Sequence, residues 1–151
     1  MITIEDFKKK QSEPSRLIGL DLGSKRIGVS ICDERQSIAT PFKTITKSNT
    51  NDLILQLKEI IIEYGIKGVI IGNPLNMDGS SGRSTQSIKD VSKNIEKNVN
   101  LPMCLWDERL STVGAFNLSS QLDINVTKRE KKIDENAAAF ILQGAIDFLN
   151  N

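Results

Sequence analysis

Three stretches of this chain carry acids where a simple fold has no need of them, and acids so placed can hold a hard cation. Asp21 closes the apolar run Leu17 to Leu20 and is followed by Gly23, Ser24, Lys25 and Arg26. A carboxylate at the end of an apolar strand stands over the sheet edge, where metal and phosphate sites are built, and glycines let a substrate backbone come close. The same aspartate could simply hydrogen-bond a hairpin turn, which is the commoner use of such a motif on its own. Asp107 and Glu108 follow the apolar segment ending at Trp106 and precede Arg109, Leu110 and Ser111. An acidic first turn stabilised by the helix dipole, with Ser111 as cap, explains that pair about as well. Asp134 is the most informative of the three. It lies four, seven and eleven residues before Ala138, Ile141 and Ala145, on the buried, small-residue face of a helix. An ionised carboxylate pressed against a sheet costs several kcal/mol (order of magnitude) unless it is paired or metal-bound. Lys131 or Lys132 offers a salt bridge, but three such acids in one domain shift the balance towards metal.

The chain has no histidine. That removes Ser-His-Asp triads, Cys-His pairs, the usual zinc sites and any histidine general base. A hydrolase built from this sequence must use carboxylates and a divalent ion such as Mg²⁺ or Mn²⁺, which no motif here separates. In the two-metal scheme the ions lie roughly 3.5 to 4 Å apart, one activating water and the other stabilising the leaving oxygen. The formal net charge of +1 gives no strong global attraction to nucleic acid. Locally the picture differs: Lys25 and Arg26 stand beside the first acid, Arg109 and Ser111 beside the second, and Lys128, Arg129, Lys131 and Lys132 before the third. A solvated loop explains Lys128 and Arg129 as well as phosphate contact does. The segment from Gly72 to Ser84 reads as a loop between a parallel strand and a helix, and its glycines and helix-start amides suit a phosphate, although plain surface loops share that composition.

The elements that must position these residues follow from periodicity. Leu17 to Asp21, Ile27 to Cys32 and Ser37 to Ile45 read as a meander of three antiparallel strands, with Pro41 making the third an edge strand. Leu53, Ile54, Leu57, Ile60, Ile61 and Tyr64 form one helix face, with Asn51 or Asp52 as cap and Gly65 as stop. Gly68 to Ile71 and Pro102 to Trp106 are apolar throughout and flank a helix carrying Ile88, Val91 and Ile95, which implies a parallel pair covered on both faces. A further helix is expected after Ser111 and a last one from Ile133 to Leu149. The sum is one α/β domain over residues 16–151 with a mixed five-stranded sheet, preceded by residues 1–15 as a tail or short leader helix. Cys32 and Cys104 sit in apolar segments as small buried hydrophobes, which suits a cytosolic protein without disulfides. No apolar run approaches the roughly 20 residues that span a bilayer.

The runs Asp21 to Val29, Gly72 to Gly79, Asp107 to Thr112 and Lys132 to Asp134 before the alanines resemble, in order and spacing, the four blocks of the YqgF family, also called RuvX. The resemblance covers residue 16 to the end and is specific in combination. It implies an RNase H-like fold and a nuclease that matures the 5′ end of pre-16S ribosomal RNA, with precursor RNA and ribosomal particles as partners. It also implies Asp21, Glu108 and Asp134 as the metal-holding acidic triad. Lys25 and Arg26 lie within its first block, placed to contact phosphate. Gly72-Asn73-Pro74 replaces the Gly-Leu-Pro often seen there. Alternatives from the sequence are a dimeric Holliday-junction resolvase, a non-catalytic nucleic-acid-binding regulator, and an actin-like ATPase, which would need a second domain. Monomer and homodimer stay equally open.

Overall fold

The computed structural model of the chain describes residues 1–46, 48–73, 83–110 and 126–151; for 83–85 and 126–135 it describes the backbone alone. β1 (Leu17–Leu22), β2 (Arg26–Cys32) and β3 (Ala39–Thr46) form the expected meander, β1 and β3 each pairing antiparallel with β2. β4 (Gly68–Asn73) and β5 (Met103–Asp107) complete a sheet of order β3-β2-β1-β4-β5, in which β1, β4 and β5 run parallel. The centre of this sheet is covered on both sides, which is why β1 and β4 are apolar almost without alternation. β3 is the edge strand anticipated from Pro41. Its pairing with β2 shifts register between Val29 and Ser30, opposite the proline that cannot donate to the ladder.

Helix α1 (Ile4–Lys10) is capped by Thr3, whose hydroxyl accepts from the Asp6 amide, and it buries Phe7. α2 (Thr50–Tyr64) ends on Gly65, in the left-handed region at φ 64° as an αL C-cap requires. Its cap is Asn49 rather than Asn51 or Asp52: the Asn49 side chain accepts from the Asp52 amide at 2.8 Å, leaving Asp52 as the acid of the first turn. α3 is Arg83–Asn98. The last helix, α4, runs Val126–Leu149 and so begins well before Ile133. The extra length is a polar stretch of good helix formers, Lys, Arg and Glu, with no apolar periodicity to reveal it. A single 3-10 turn, Glu108–Leu110, follows β5. The helix expected after Ser111 falls outside the described residues. Among those residues no helix is long and apolar enough to cross a membrane.

Strand alternation divides the core. Ile18, Leu20, Val69 and Ile71 pack with Leu53 and Leu57 of α2 and Ile88 and Ile95 of α3. Leu17, Ile70, Cys104 and Trp106 face the other way, with Phe7 of α1 and Ile141, Leu142 and Ile146 of α4. α4 approaches the sheet closely at Gly19, where a Cβ would stand 2.5 Å from Ser30 Oγ and 2.6 Å from Leu142 Cβ. The Ser30 hydroxyl, fully buried, donates to the Ala138 carbonyl at 2.8 Å, which fixes the height of the helix over the strands. Both cysteines are free and buried, and burial pushes the Cys104 thiol up to about 12.

Candidate active site

Asp21 and Glu108 meet at the carboxyl ends of the parallel strands. Asp21 pairs with Gly28 in the β1–β2 ladder, and alternation from Gly19 puts its side chain on the α4 side of the sheet. Glu108 opens the 3-10 turn after β5 and bends back over Gly72 of β4. A Cβ at Gly72 would stand 3.0 Å from Glu108 Oε2 and would also strike the Ile141 side chain. Glycine is therefore what leaves room for the carboxylate. Glu108 Oε2 is shut off from solvent and has no hydrogen-bond partner. Burial, then the charge of Asp21, then that of Asp107, push the Glu108 carboxyl up to about 7.

Its neighbour Asp107 is held differently. Arg109 donates to it from Nη2 at 2.6 Å, from Nε at 3.0 and 3.1 Å, and from its backbone amide at 3.0 Å. The hydrogen bonds from Arg109 hold the Asp107 carboxyl below the usual carboxylate range. Of the two adjacent acids, Asp107 has its donors, whereas the shielded Oε2 of Glu108 has none. A carboxylate oxygen kept from solvent, donor-free and next to like charges is stabilised by a proton or by a cation. The oxygen donors present at Asp21 and Glu108 suit a hard divalent ion.

Among the described residues no three acids or cysteines converge as a metal-binding group. The backbone of α4 at Asp134 lies one turn before Ala138, the residue tied to Ser30, but the Asp134 side chain is outside the described residues, as are those of Lys131 and Lys132. So is Ser111. Lys25 is exposed in the tight turn between β1 and β2, where the Gly23 amide donates to the Arg26 carbonyl at 3.0 Å. Arg26 opens β2 opposite Thr46 and is half-buried. Both lie at the same end of the sheet as Asp21. Arg109, expected to meet substrate, is committed to Asp107 in this structure.

Gly72 and Asn73, read as loop, are instead the last residues of β4, in register with Trp106 and Asp107. A residue before proline is pushed to extended backbone, and Pro74 was the signal that the strand runs on to Asn73. The Asn73 Oδ1 is buried without a partner. The phosphate-binding loop expected beyond it falls from Pro74 to Gly82 outside the described residues.

A family model described as "RuvX: Holliday junction resolvase" matches residues 15–148. The chain belongs to the RuvX family. A relative from Pelagibacter ubique, 74% identical over 151 residues and covering all of both chains, bears the name "Putative pre-16S rRNA nuclease". One from Novosphingobium aromaticivorans, with the same name, is 44% identical over 144 residues, covering 95% of this chain and 92% of the relative. Among solved structures, Thermus thermophilus RuvC in complex with Holliday junction substrate aligns with a TM-score of 0.57 at 9% identity, over 87% of this chain and 93% of that one. The yeast mitochondrial Holliday junction resolvase Ydc2 aligns at 0.53 and 12% identity, over 97% and 84%. At such identities the likeness concerns fold, and it makes this RuvX chain RNase H-like, as the four sequence blocks implied.

Proposed function

We propose that this RuvX-family chain is a nuclease that hydrolyses phosphodiester bonds in the 5′-end processing of pre-16S ribosomal RNA, with a divalent cation held by Asp21, Glu108 and Asp134. The observation that carries the reading is the Oε2 of half-buried Glu108, shut off from solvent, without a hydrogen-bond partner and beside Asp21, with the carboxyl raised to about 7. Family membership and the names of the 74% and 44% identical relatives support the reaction and the substrate. Asp134 joins the set on its helical spacing from Ala138, Ile141 and Ala145.

When bound, Mg²⁺ or Mn²⁺ supplies an activated water and stabilises charge on the leaving oxygen. The chain's own residues do the rest. Gly72 keeps the floor beneath Glu108 open, and Arg109 fixes Asp107 so that Glu108 is the acid left available. Without a cation, burial and the neighbouring acids raise the Glu108 carboxyl to about 7, so binding of a divalent ion there would displace a proton near neutral pH. Lys25 and Arg26 take phosphates at the sheet end that carries Asp21, and Lys131 and Lys132, just before Asp134 in the chain, take further ones. The protein works in the cytoplasm, on free precursor or on ribosomal particles, as a monomer or homodimer.

The family description favours one further reading, a resolvase acting on branched DNA. Cleavage of matched ribosomal RNA precursor and four-way DNA junction, each with and without divalent metal, decides between them. Metal-dependent cutting of the precursor is the expected result. Cutting of the junction alone establishes the resolvase, and cutting of neither overturns the nuclease reading.

A further inference from the structure

Ser30 is a polar side chain without solvent exposure in the otherwise apolar stretch of β2 from Ile27 to Cys32. Packing does not ask for it, since alanine would fill the place with no hydroxyl to satisfy. Its one proton goes to the Ala138 carbonyl of α4 at 2.8 Å rather than to the Gly19 carbonyl at 3.4 Å. Ala138 lies inside α4, where its carbonyl has the amide of Leu142 as helical donor, so the helix does not need this bond either. Apolar contacts are non-directional and let a helix slide over a sheet, whereas a hydrogen bond to one carbonyl fixes the register. The bond sits where Gly19, the ladder partner of Ser30, lets α4 down onto the strands: a Cβ at Gly19 would stand 3.0 Å from the Ala138 oxygen.

From this point strand and helix climb together. Gly19 to Asp21 is two residues along β1, about 6.6 Å, and both face α4. Ala138 back to Asp134 is four residues along α4, about 6 Å. Both paths lead to the same end of the sheet, because the other end of α4 is tied to the turn after β2, where Asn150 donates to the Gln36 carbonyl at 2.8 Å. Ile141, one turn on from Ala138, meets Gly72 beneath the Glu108 carboxylate. We infer that Ser30 is a positioning residue: its bond to Ala138 sets the height of α4 at which Asp134 comes level with Asp21 to complete the acid set. This rests on the nuclease reading above, in which those acids hold a divalent cation, and deepens it by naming what keeps the helix of the third acid in register. Metal sites tolerate little displacement of their ligands, and losing a residue that supports a ligand typically weakens metal binding by roughly 10- to 100-fold.

The test is Mn²⁺ binding to the full chain without nucleic acid, read from the paramagnetic resonance of the free ion, in wild type, Ser30→Ala, Ser92→Ala and Asp134→Asn. Ser92 is the control: it is equally buried and donates to the Ile88 carbonyl at 2.6 Å, within α3 on the other face of the sheet. Both alanine variants should melt a little below wild type, each having lost one buried hydrogen bond. Ser30→Ala should weaken Mn²⁺ binding roughly 10-fold, and Ser92→Ala should leave it unchanged. In an Asp134→Asn background the ligand is already gone, so adding Ser30→Ala should cost no further affinity. Unchanged Mn²⁺ affinity in Ser30→Ala overturns the inference. So do equal losses in the two alanine variants, and so does a Ser30→Ala loss of the same size with and without Asp134→Asn. If Ser30→Ala binds Mn²⁺ as wild type does while wild type cleaves the ribosomal precursor, the nuclease reading stands and the positioning role falls. If binding shifts as expected but wild type cleaves neither precursor nor junction, the positioning role stands and the nuclease reading falls. Wild type that binds no Mn²⁺ overturns both.

Discussion

Two carboxylates at opposite ends of the sheet are treated in opposite ways. Asp33, just past β2, accepts from the Ser37 amide at 2.8 Å, the Ser37 hydroxyl at 2.7 Å and the Ile38 amide at 2.8 Å. Those bonds, the Ile38 amide foremost, hold its carboxyl well below the usual carboxylate range although it is exposed. Glu108, just past β5, is half-buried with its Oε2 shut off from solvent and without a donor, and is raised to about 7. Both acids follow apolar strands. The difference is the donor set: an acid that shapes a turn brings its hydrogen bonds with it, and an acid reserved for a ligand is left without them. Asp107 and Asp33 fall on one side of that line, Glu108 on the other.

The largest effect that would break this comparison is on cleavage. Asp21→Asn, Glu108→Gln and Asp134→Asn each keep size and remove a cation-binding charge, so each should lower the cleavage rate by more than about 100-fold, the scale of losing several kcal/mol of transition-state charge stabilisation. Asp33→Asn should leave the rate unchanged and lower the melting temperature. Full activity in any two of the first three variants, at matched metal concentration, would sink the triad. Next comes Gly72→Ala. The added methyl meets both Ile141 and Glu108 Oε2, which overpacks the floor by about 1–3 kcal/mol and displaces the acid. Thermal melts and rates should fall together. A variant as stable as wild type that cleaves normally would show that Gly72 holds no special place.

The pH dependence of stability sharpens the same contrast. For Glu108 the folded value, about 7, lies above its ordinary 4.5. The fold binds this proton more tightly than the unfolded chain does, so the contribution is full below 4.5 and is lost as pH rises through 7. Asp33 is depressed, so its contribution is present above its ordinary 3.8 and is lost as pH falls through the lower folded value. Metal-free Glu108→Gln should therefore gain on wild type by a few degrees between pH 5 and 8, roughly what 1–2 kcal/mol moves a chain of this size. Asp33→Asn should differ from wild type least in strong acid. A constant offset between Glu108→Gln and wild type across the whole range would contradict the raised affinity. Mg²⁺ at pH 8 should raise the melting point of wild type more than that of Glu108→Gln.

The sheet was legible because each strand carries its own signal. Apolar runs of strand length, Pro41 at an edge and Gly65 as a stop are local facts, and the structure uses them as expected. Asp21 was legible as an acid at a strand end. Glu108 rather than Asp107 was named only through the family resemblance; the residues alone leave the choice open, since it depends on where the Arg109 guanidinium folds. The early turns of α4 were hidden because their sequence, polar with good helix formers, has no apolar period. Gly72 and Asn73 were assigned to the loop by composition, and the value of Gly72 lies in what crosses above it, a relation between β4, the turn after β5 and α4 that no single segment contains.

The smallest effect concerns the cations at the same sheet end as Asp21. Lys25 is exposed in the β1–β2 turn, and Arg26 opens β2. Net charge of +1 provides little long-range attraction, so binding of a nucleic acid strand must draw on local cations such as these. Each phosphate neutralised releases condensed counterion, which makes the logarithm of the binding constant fall with the logarithm of salt by up to about one unit per contact. Lys25→Ala combined with Arg26→Ala should therefore flatten that slope by up to about two units, with the loss of affinity greatest at low salt. Lys131→Ala with Lys132→Ala should flatten it less. The measurement is a salt titration of RNA binding in EDTA, so that cleavage does not intervene. It also compares the end of the central strand with the edge of the sheet: Lys43→Ala, in register with Val29 on edge strand β3, should change the slope less than the pair beside Asp21. Slopes that are identical in wild type and the Lys25, Arg26 double variant would show that substrate does not cross this end of the sheet, and with that the acids there would lose the phosphate they are proposed to serve.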